Sequence, residues 1–159
     1  MPEARERAEK LENQLSGLLF VVNREDFAGL YDGDVDKTKV LLEKYLTTLR
    51  TDMRQMSDVE EANFFAGDPR FDNVSRALIQ DVETIGVELE FNINPKLESI
   101  AKQLAEKAEK AKTGDQGLLS QAFEALDKAI VMVAAPVAKA AALATAINTL
   151  VDFFQAMPK

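Results

Sequence analysis

The residues best placed to do chemistry are acidic side chains that follow one another closely in the first third of the chain. Asp32, Asp34, Asp36 and Glu43 stand at positions 1, 3, 5 and 12 of one segment. This is the ligand spacing of a calcium loop, which wraps carboxylate oxygens around a large, hard cation. Such a loop needs glycine at its sixth position, where this chain has Lys37. The lysine favours the alternative, an acidic turn in which Asp34 or Asp36 caps the following helix.

Composition restricts the other chemistry that the chain could perform. The sequence contains no His and no Cys. Their absence removes the commonest general base, cysteine nucleophiles, disulfides and the usual zinc and haem ligands. The seven glycines are dispersed and form no phosphate-binding loop. We therefore expect a non-enzymatic protein without a cofactor.

The charge balance bears on partners and location. Nineteen Lys and Arg stand against 27 Asp and Glu, a net charge of -8. A field of this sign repels phosphate backbones, so nucleic acid is not an expected partner. The first residues carry charges of both signs without an apolar run behind them, unlike a secretory signal. We therefore expect a cytoplasmic protein.

The elements that must position any site are helices. Apolar residues recur three or four apart in each long segment, the period of a helix with one buried face. We expect a first helix over about residues 3–22, a connection over 23–36 and a second helix over 38–56. Residues 57–60 have the form of a capping box, where the second helix either breaks or runs on into a short helix ending near Gly67.

Two pairs of a capping residue and a proline predict where later helices begin. Asp68–Pro69 and Asn94–Pro95 each place a capping side chain before a proline at the first helical position. They predict breaks before a third and a fourth helix. Gly114 followed by Asp115 predicts a tight turn, with glycine ending the fourth helix and aspartate capping the fifth.

The last part of the chain differs in kind from the rest. Residues 1–113 contain 39 charged residues and residues 114–159 only seven. Ala129–Val151 has a single charge, Lys139, and as a helix of about 35 Å it could cross a membrane. Its alanine content, its proline and the central lysine favour instead a helix buried in a core or an oligomer. We expect Pro136 to kink one long helix rather than to separate two.

Two sets of residues are candidates for contact with a partner. The first is a ridge of small side chains at four-residue spacing, which lets another helix approach closely. The second is a pair of adjacent phenylalanines at two places, where one ring of each pair can stay exposed because neighbours do not share a helix face. The candidates are Ala134, Ala138, Ala142, Ala146, Phe64, Phe65, Phe153 and Phe154.

These observations predict an all-α, single-domain bundle over residues 1–159, with five or six mostly antiparallel helices. Charged helices occupy 1–113, and a nearly uncharged helix pair or kinked helix occupies 114–159. We expect the protein to act by helix-mediated association, with itself or with a protein partner. Two alternatives stay open: a membrane-active protein that uses 129–151, and a bundle that binds a small ligand or calcium.

Overall fold

The computed structural model describes residues 2–28, 35–62, 69–111, 114–132 and 135–157, and nearly all of them are helical. The predicted all-α bundle is confirmed. Its elements are α1 (Pro2–Val22), α2 (Glu25–Ala28), α3 (Val35–Ala62), α4 (Pro69–Glu88), a π-helical turn (Leu89–Ile93), α5 (Asn94–Lys110), α6 (Gln116–Ile130) and α7 (Pro136–Ala156).

Helices α1, α3 and α4 pack against one another and form what we call the N-terminal layer. Tyr45 of α3 hydrogen-bonds to Glu88 of α4, and Asp52 of α3 to Asp81 of α4. Seven residues forward on α3 therefore correspond to seven residues backward on α4. The two helices are antiparallel, as the sequence predicts for neighbours.

The capping-box segment does not end a helix, because α3 continues without a break to Ala62. Ser57 Oγ accepts a hydrogen bond from Arg5 Nη2 at 2.9 Å, and Glu60 forms a 2.6 Å ion pair with the same guanidinium. These side chains thus join α3 to α1 instead of capping a new helix. Of the segment expected to run on to Gly67, residues 57–62 belong to α3, and residues 63–67 lie outside the described part.

The break expected at Asn94–Pro95 is wrong, because α4 runs through the π-turn directly into α5. Ile85, Leu89, Ile93 and Leu97 are all buried and stand four apart. Four residues of α-helix turn about 400°, so such a stripe drifts by about 40° at each step. The wider π-turn takes up this drift, and the N–H of Asn94 bonds five residues back to Leu89 O.

The kink expected at Pro136 is also wrong. Helix α6 ends at Ile130 and Pro136 begins α7, so two helices replace one. They pack extensively against each other, as a helical hairpin. Proline fits the first position of α7 without loss, since no helical partner awaits an N–H there.

Of the turn predicted between α5 and α6, the Asp115 cap is confirmed and the glycine cap is wrong, because α5 ends at Lys110 with Ala111 as its C-cap, three residues before Gly114. Asp115 Oδ1 accepts hydrogen bonds from the N–H groups of Gly117 at 2.9 Å and Leu118 at 3.2 Å. Gly114 has φ +146°, a conformation that side chains with a Cβ rarely adopt. A Cβ at this position would lie 2.5 Å from Cζ of Phe153. Glycine is therefore required here both by the backbone and by the ring beside it.

Helix α7 is central to the core. It contacts α6, α5 and α1 extensively, and α2, α4 and the π-turn at its edges. By length and composition it is the one helix of the described part that could cross a membrane, with a mean hydropathy of 1.4. Its buried side chains pack against the other helices of this chain.

Candidate functional site

The calcium candidates do not come together in the described part of the chain. Asp32 and Asp34 lie outside the described residues, and Asp36 and Glu43 are exposed on α3. Seven residues separate these last two, so about 10 Å of helix axis lies between them. No cluster of three or more potential metal-ligating side chains occurs among the described residues. Asp36 lies in the first turn of α3, where a negative charge is favourable.

The ridge of small residues runs from the surface into the core. Ala134 lies outside the described residues, Ala138 is exposed, Ala142 is half-buried and Ala146 is fully buried. Ala142 packs against the core cluster. The inner part of the ridge therefore contacts this chain's own helices.

The phenylalanine pairs divide in a similar way. Phe64 and Phe65 lie outside the described part. Phe153 is fully buried and Phe154 half-buried, with their rings edge to face and 5.5 Å apart between centroids. Phe153 also packs on the Gly114 turn. Its ring holds the α5–α6 turn against α7.

A row of polar groups lies between α3 and α4, which we call the acid seam: Tyr45, Asp52, Asp81 and Glu88. Burial, and then a hydrogen bond to Asp81 and its negative charge, raise the pKa of Asp52 to about 7. Oδ2 of Asp52 is buried and receives no donor from the described residues. A proton shared by the two carboxyl groups therefore joins α3 to α4.

Tyr45 completes the acid seam at its other end. Burial is the main cause that raises the pKa of its phenol, followed by the hydrogen bond to the Glu88 carboxylate and by that negative charge. The phenol thus stays protonated and donates to Glu88. The sequence does not predict the acid seam. Its residues stand beside the apolar stripes of α3 and α4, and which of them pair depends on how the two helices are aligned along each other.

Arg24 forms the most highly connected polar cluster of the described part. Its guanidinium binds Asp26 at 2.9 Å and Asp152 at 2.8 Å, and donates to Asn148 and Gln155. Asp152, Asn148 and Gln155 belong to α7. The cluster fastens the segment between α1 and α2 onto the central helix, and its charges are used within the fold.

Three large apolar side chains remain exposed on the outside of α3, α4 and the π-turn. Val40 is 63% exposed, Val87 53% and Phe91 68%. Each stands two residues from a buried leucine, Leu42 or Leu89, and two residues turn a helix by about 200°. We call these three residues the outer patch.

The antiparallel pairing brings the outer patch to one end of the N-terminal layer. Tyr45 lies opposite Glu88, so Val40, five residues before Tyr45, and Phe91, three residues after Glu88, lie towards the same end. Sequence reasoning missed this patch. The signal in the sequence is that Val40, Val87 and Phe91 are apolar although they lie outside the buried stripes of their helices.

Comparison of the chain with protein-family models, with curated proteins and with solved structures finds no match. Function must therefore be inferred from the surface and the grooves of this chain. Of the surface features described above, the outer patch is the one whose side chains the fold does not already use.

Proposed function

We propose that this protein is a non-enzymatic helical interaction protein that associates with a second copy of itself through the outer patch. The exposure of Val40, Val87 and Phe91 on one end of the N-terminal layer is the observation that carries the proposal. Large apolar side chains grouped on a surface favour association, because their burial releases ordered water.

The charges beside the patch favour a second copy as the partner. On α3, exposed Lys44 stands four residues after Val40, on the same helix face. On α4 and the π-turn, exposed Glu83 and Glu90 stand four before and three after Val87. Exposed Asp36, Lys37 and Glu43 also stand three or four residues from Val40, so the α3 half of the patch carries both signs. The α4 half is acidic.

A two-fold axis would place the α3 half of one copy against the α4 half of the other. Lys44 would then meet Glu83 and Glu90 of the second copy twice, once on each side of the axis. The net charge of -8 on each copy opposes association, although this repulsion is screened beyond about 8 Å at physiological ionic strength. We therefore expect a weak dimer that forms at high protein concentration.

Sedimentation equilibrium over a wide range of protein concentration tests the proposal. We expect the mass to rise from monomer to dimer for the parent, and to stay monomeric for Phe91→Ser combined with Val87→Ser. Phe20→Ser is the matched control, because Phe20 is 72% exposed and lies outside the patch. A parent that is monomeric at every concentration, or a control that dissociates equally, would overturn the proposal.

Charge exchange tests the two-fold arrangement itself. Lys44→Glu should weaken the dimer, since it sets acidic groups against Glu83 and Glu90. Adding Glu83→Lys and Glu90→Lys to the same chain should restore it, because the signs are then exchanged on both halves. Failure of this restoration, with the fold intact by circular dichroism, would contradict the pairing of α3 with α4.

A further inference from the structure

A groove on another face of the molecule is independent of the outer patch. It opens between α1, α4 and the first turn of α7, and its volume is about 360 Å³. Helix α1 contributes Arg7, Lys10, Leu11 and Gln14, and α4 contributes Val82. We call it the basic groove. Val82 and Val87 stand five residues apart, so they lie on nearly opposite sides of α4.

The rim of the basic groove carries unpaired positive charge. Arg7 and Lys10 stand three apart on one side of α1, and both are exposed. Neither forms an ion pair with another described residue, whereas Arg5, Arg24 and Arg50 all do. Exposed Glu3 and Glu6 stand four residues before them and form no ion pair with them in the described part. Both cations can therefore turn to a bound anion.

The start of α7 adds hydrogen-bond donors at the same place. Ala135 precedes the helix and offers no side-chain cap, and Val137 and Ala138 of the first turn line the groove. The first N–H groups of a helix have no partner within the helix and favour negative charge. Gln14 adds a polar side chain to the lining of the groove.

The walls of the groove are otherwise apolar. Leu11, Val82 and Val137 line it together with the side chains of Ala135, Pro136 and Ala138. Its volume lies near the lower end of the ~300–1,000 Å³ typical of small-ligand sites. There is room for one short chain beside one head group, and too little for the two chains of a membrane lipid.

We propose that the basic groove binds a free carboxylate that carries a single unbranched apolar chain. Arg7, Lys10 and the first N–H groups of α7 hold the carboxylate, and the chain lies on Leu11, Val82 and Val137. Burial of the chain supplies most of the affinity, since apolar surface lines most of the groove. The cations supply the preference for a negative head group.

Titration of the full chain with decanoate, below its micellar concentration, tests the proposal by calorimetry and by NMR of the backbone amides. We expect saturable binding of one decanoate per chain, with the largest shift changes at Lys10, Val137 and Ala138. Nonyltrimethylammonium has the same nine-carbon chain and the opposite charge, and should bind at least tenfold more weakly. Equal binding of the two amphiphiles, or no binding of decanoate, would overturn the proposal.

Two variants locate the site. Arg7→Gln combined with Lys10→Gln should weaken decanoate binding at least tenfold, while Arg54→Gln combined with Lys102→Gln should leave it unchanged, because these exposed cations lie outside the groove. Ala138→Phe should fill the groove from an exposed position without disturbing the core. Undiminished binding in either groove variant, with unchanged circular dichroism, would overturn the assignment.

Discussion

The N-terminal layer and the α6–α7 hairpin both contribute buried apolar side chains to one core, yet they differ in the polar contacts around it. In the layer, Arg5 pairs with Glu60, Arg50 with Glu12, and a shared proton joins Asp52 to Asp81. In the hairpin, small and apolar side chains pack closely, and residues 114–159 carry only seven charges.

The difference concerns where the chain can change without losing its fold. Exposed ion pairs contribute little, typically about 0.2–1 kcal/mol each, whereas removal of a buried aromatic ring costs several times as much. The outer patch and most of the basic groove lie on the layer. Both regions supply fully buried apolar side chains, so we expect the exposed residues of the layer to be the ones that can change at least cost.

The largest effect is expected at Phe153, in the hairpin. Phe153→Ala empties a fully buried site and should lower the free energy of unfolding by about 3–5 kcal/mol. Phe154→Ala, at the half-buried neighbour, should cost clearly less. Denaturant unfolding followed by circular dichroism measures both, and equal losses would show that the hairpin core does not depend on Phe153.

A second large effect is expected at Gly114. Gly114→Ala places a Cβ 2.5 Å from the Phe153 ring and forces an unfavourable φ of +146°, so a loss of about 1–3 kcal/mol or more should follow. Gly86→Ala is the matched control, because no atom lies within 4 Å of its added Cβ. In the interior of α4 it should stabilise the protein by about 0.5–1 kcal/mol. A neutral Gly114→Ala would contradict the close contact with Phe153.

In both regions the sequence predicts some helix boundaries and not others. The Asp115 cap and the Pro69 start of α4 depend on neighbouring residues, so local patterns predict them. Whether Pro136 kinks a helix or begins one depends on the packing of α6 against α7, which no local pattern contains. The π-turn is a similar case. The apolar stripe from Ile85 to Leu97 rotates around the helix axis, and a break between two helices could have corrected this rotation as well as the π-turn does.

The candidate sites could be predicted only in part for the same reason. The residue types of Phe153 and Ala146 suit contact with a partner, but the tertiary structure shows that both are buried within this chain. The acid seam, the outer patch and the basic groove each join residues of at least two helices. Their assembly depends on helix register, which the hydrophobic period does not determine.

A smaller effect, visible through pH, is expected in the acid seam. The pKa of Asp52 is about 7 in the folded protein and near 3.9 in an unfolded chain. Between these values the folded state holds a proton that the unfolded state has lost, so stability falls as pH rises through this window and levels off above it. Asp52→Asn removes the carboxyl that must lose its proton, so it should raise the free energy of unfolding at pH 8. The gain should be only about 1–2 kcal/mol, because water partly screens Asp52.

The measurement for Asp52→Asn is the unfolding free energy from pH 4 to pH 8. The variant should flatten the decline that the parent shows over this range, because an amide has no proton to lose and can still donate to Asp81. Asp58→Asn, at an exposed site on the same helix, should leave the decline in place. A parent whose stability rises from pH 5 to pH 8 would contradict a shared proton in the seam.

The smallest effect is expected for the ion pairs on the outside of the N-terminal layer. Arg50→Gln breaks a 3.4 Å contact between exposed Arg50 and Glu12, and should change stability by no more than about 0.5 kcal/mol. Arg5→Gln removes both the 2.6 Å pair with Glu60 and the hydrogen bond to Ser57, and should cost about 1 kcal/mol. High salt should reduce the cost of each change, because it screens the parent's pairs. A loss at Arg50 as large as that at Phe153 would mean that charge, and not apolar packing, holds the layer in place, and the contrast between the two regions would then fail.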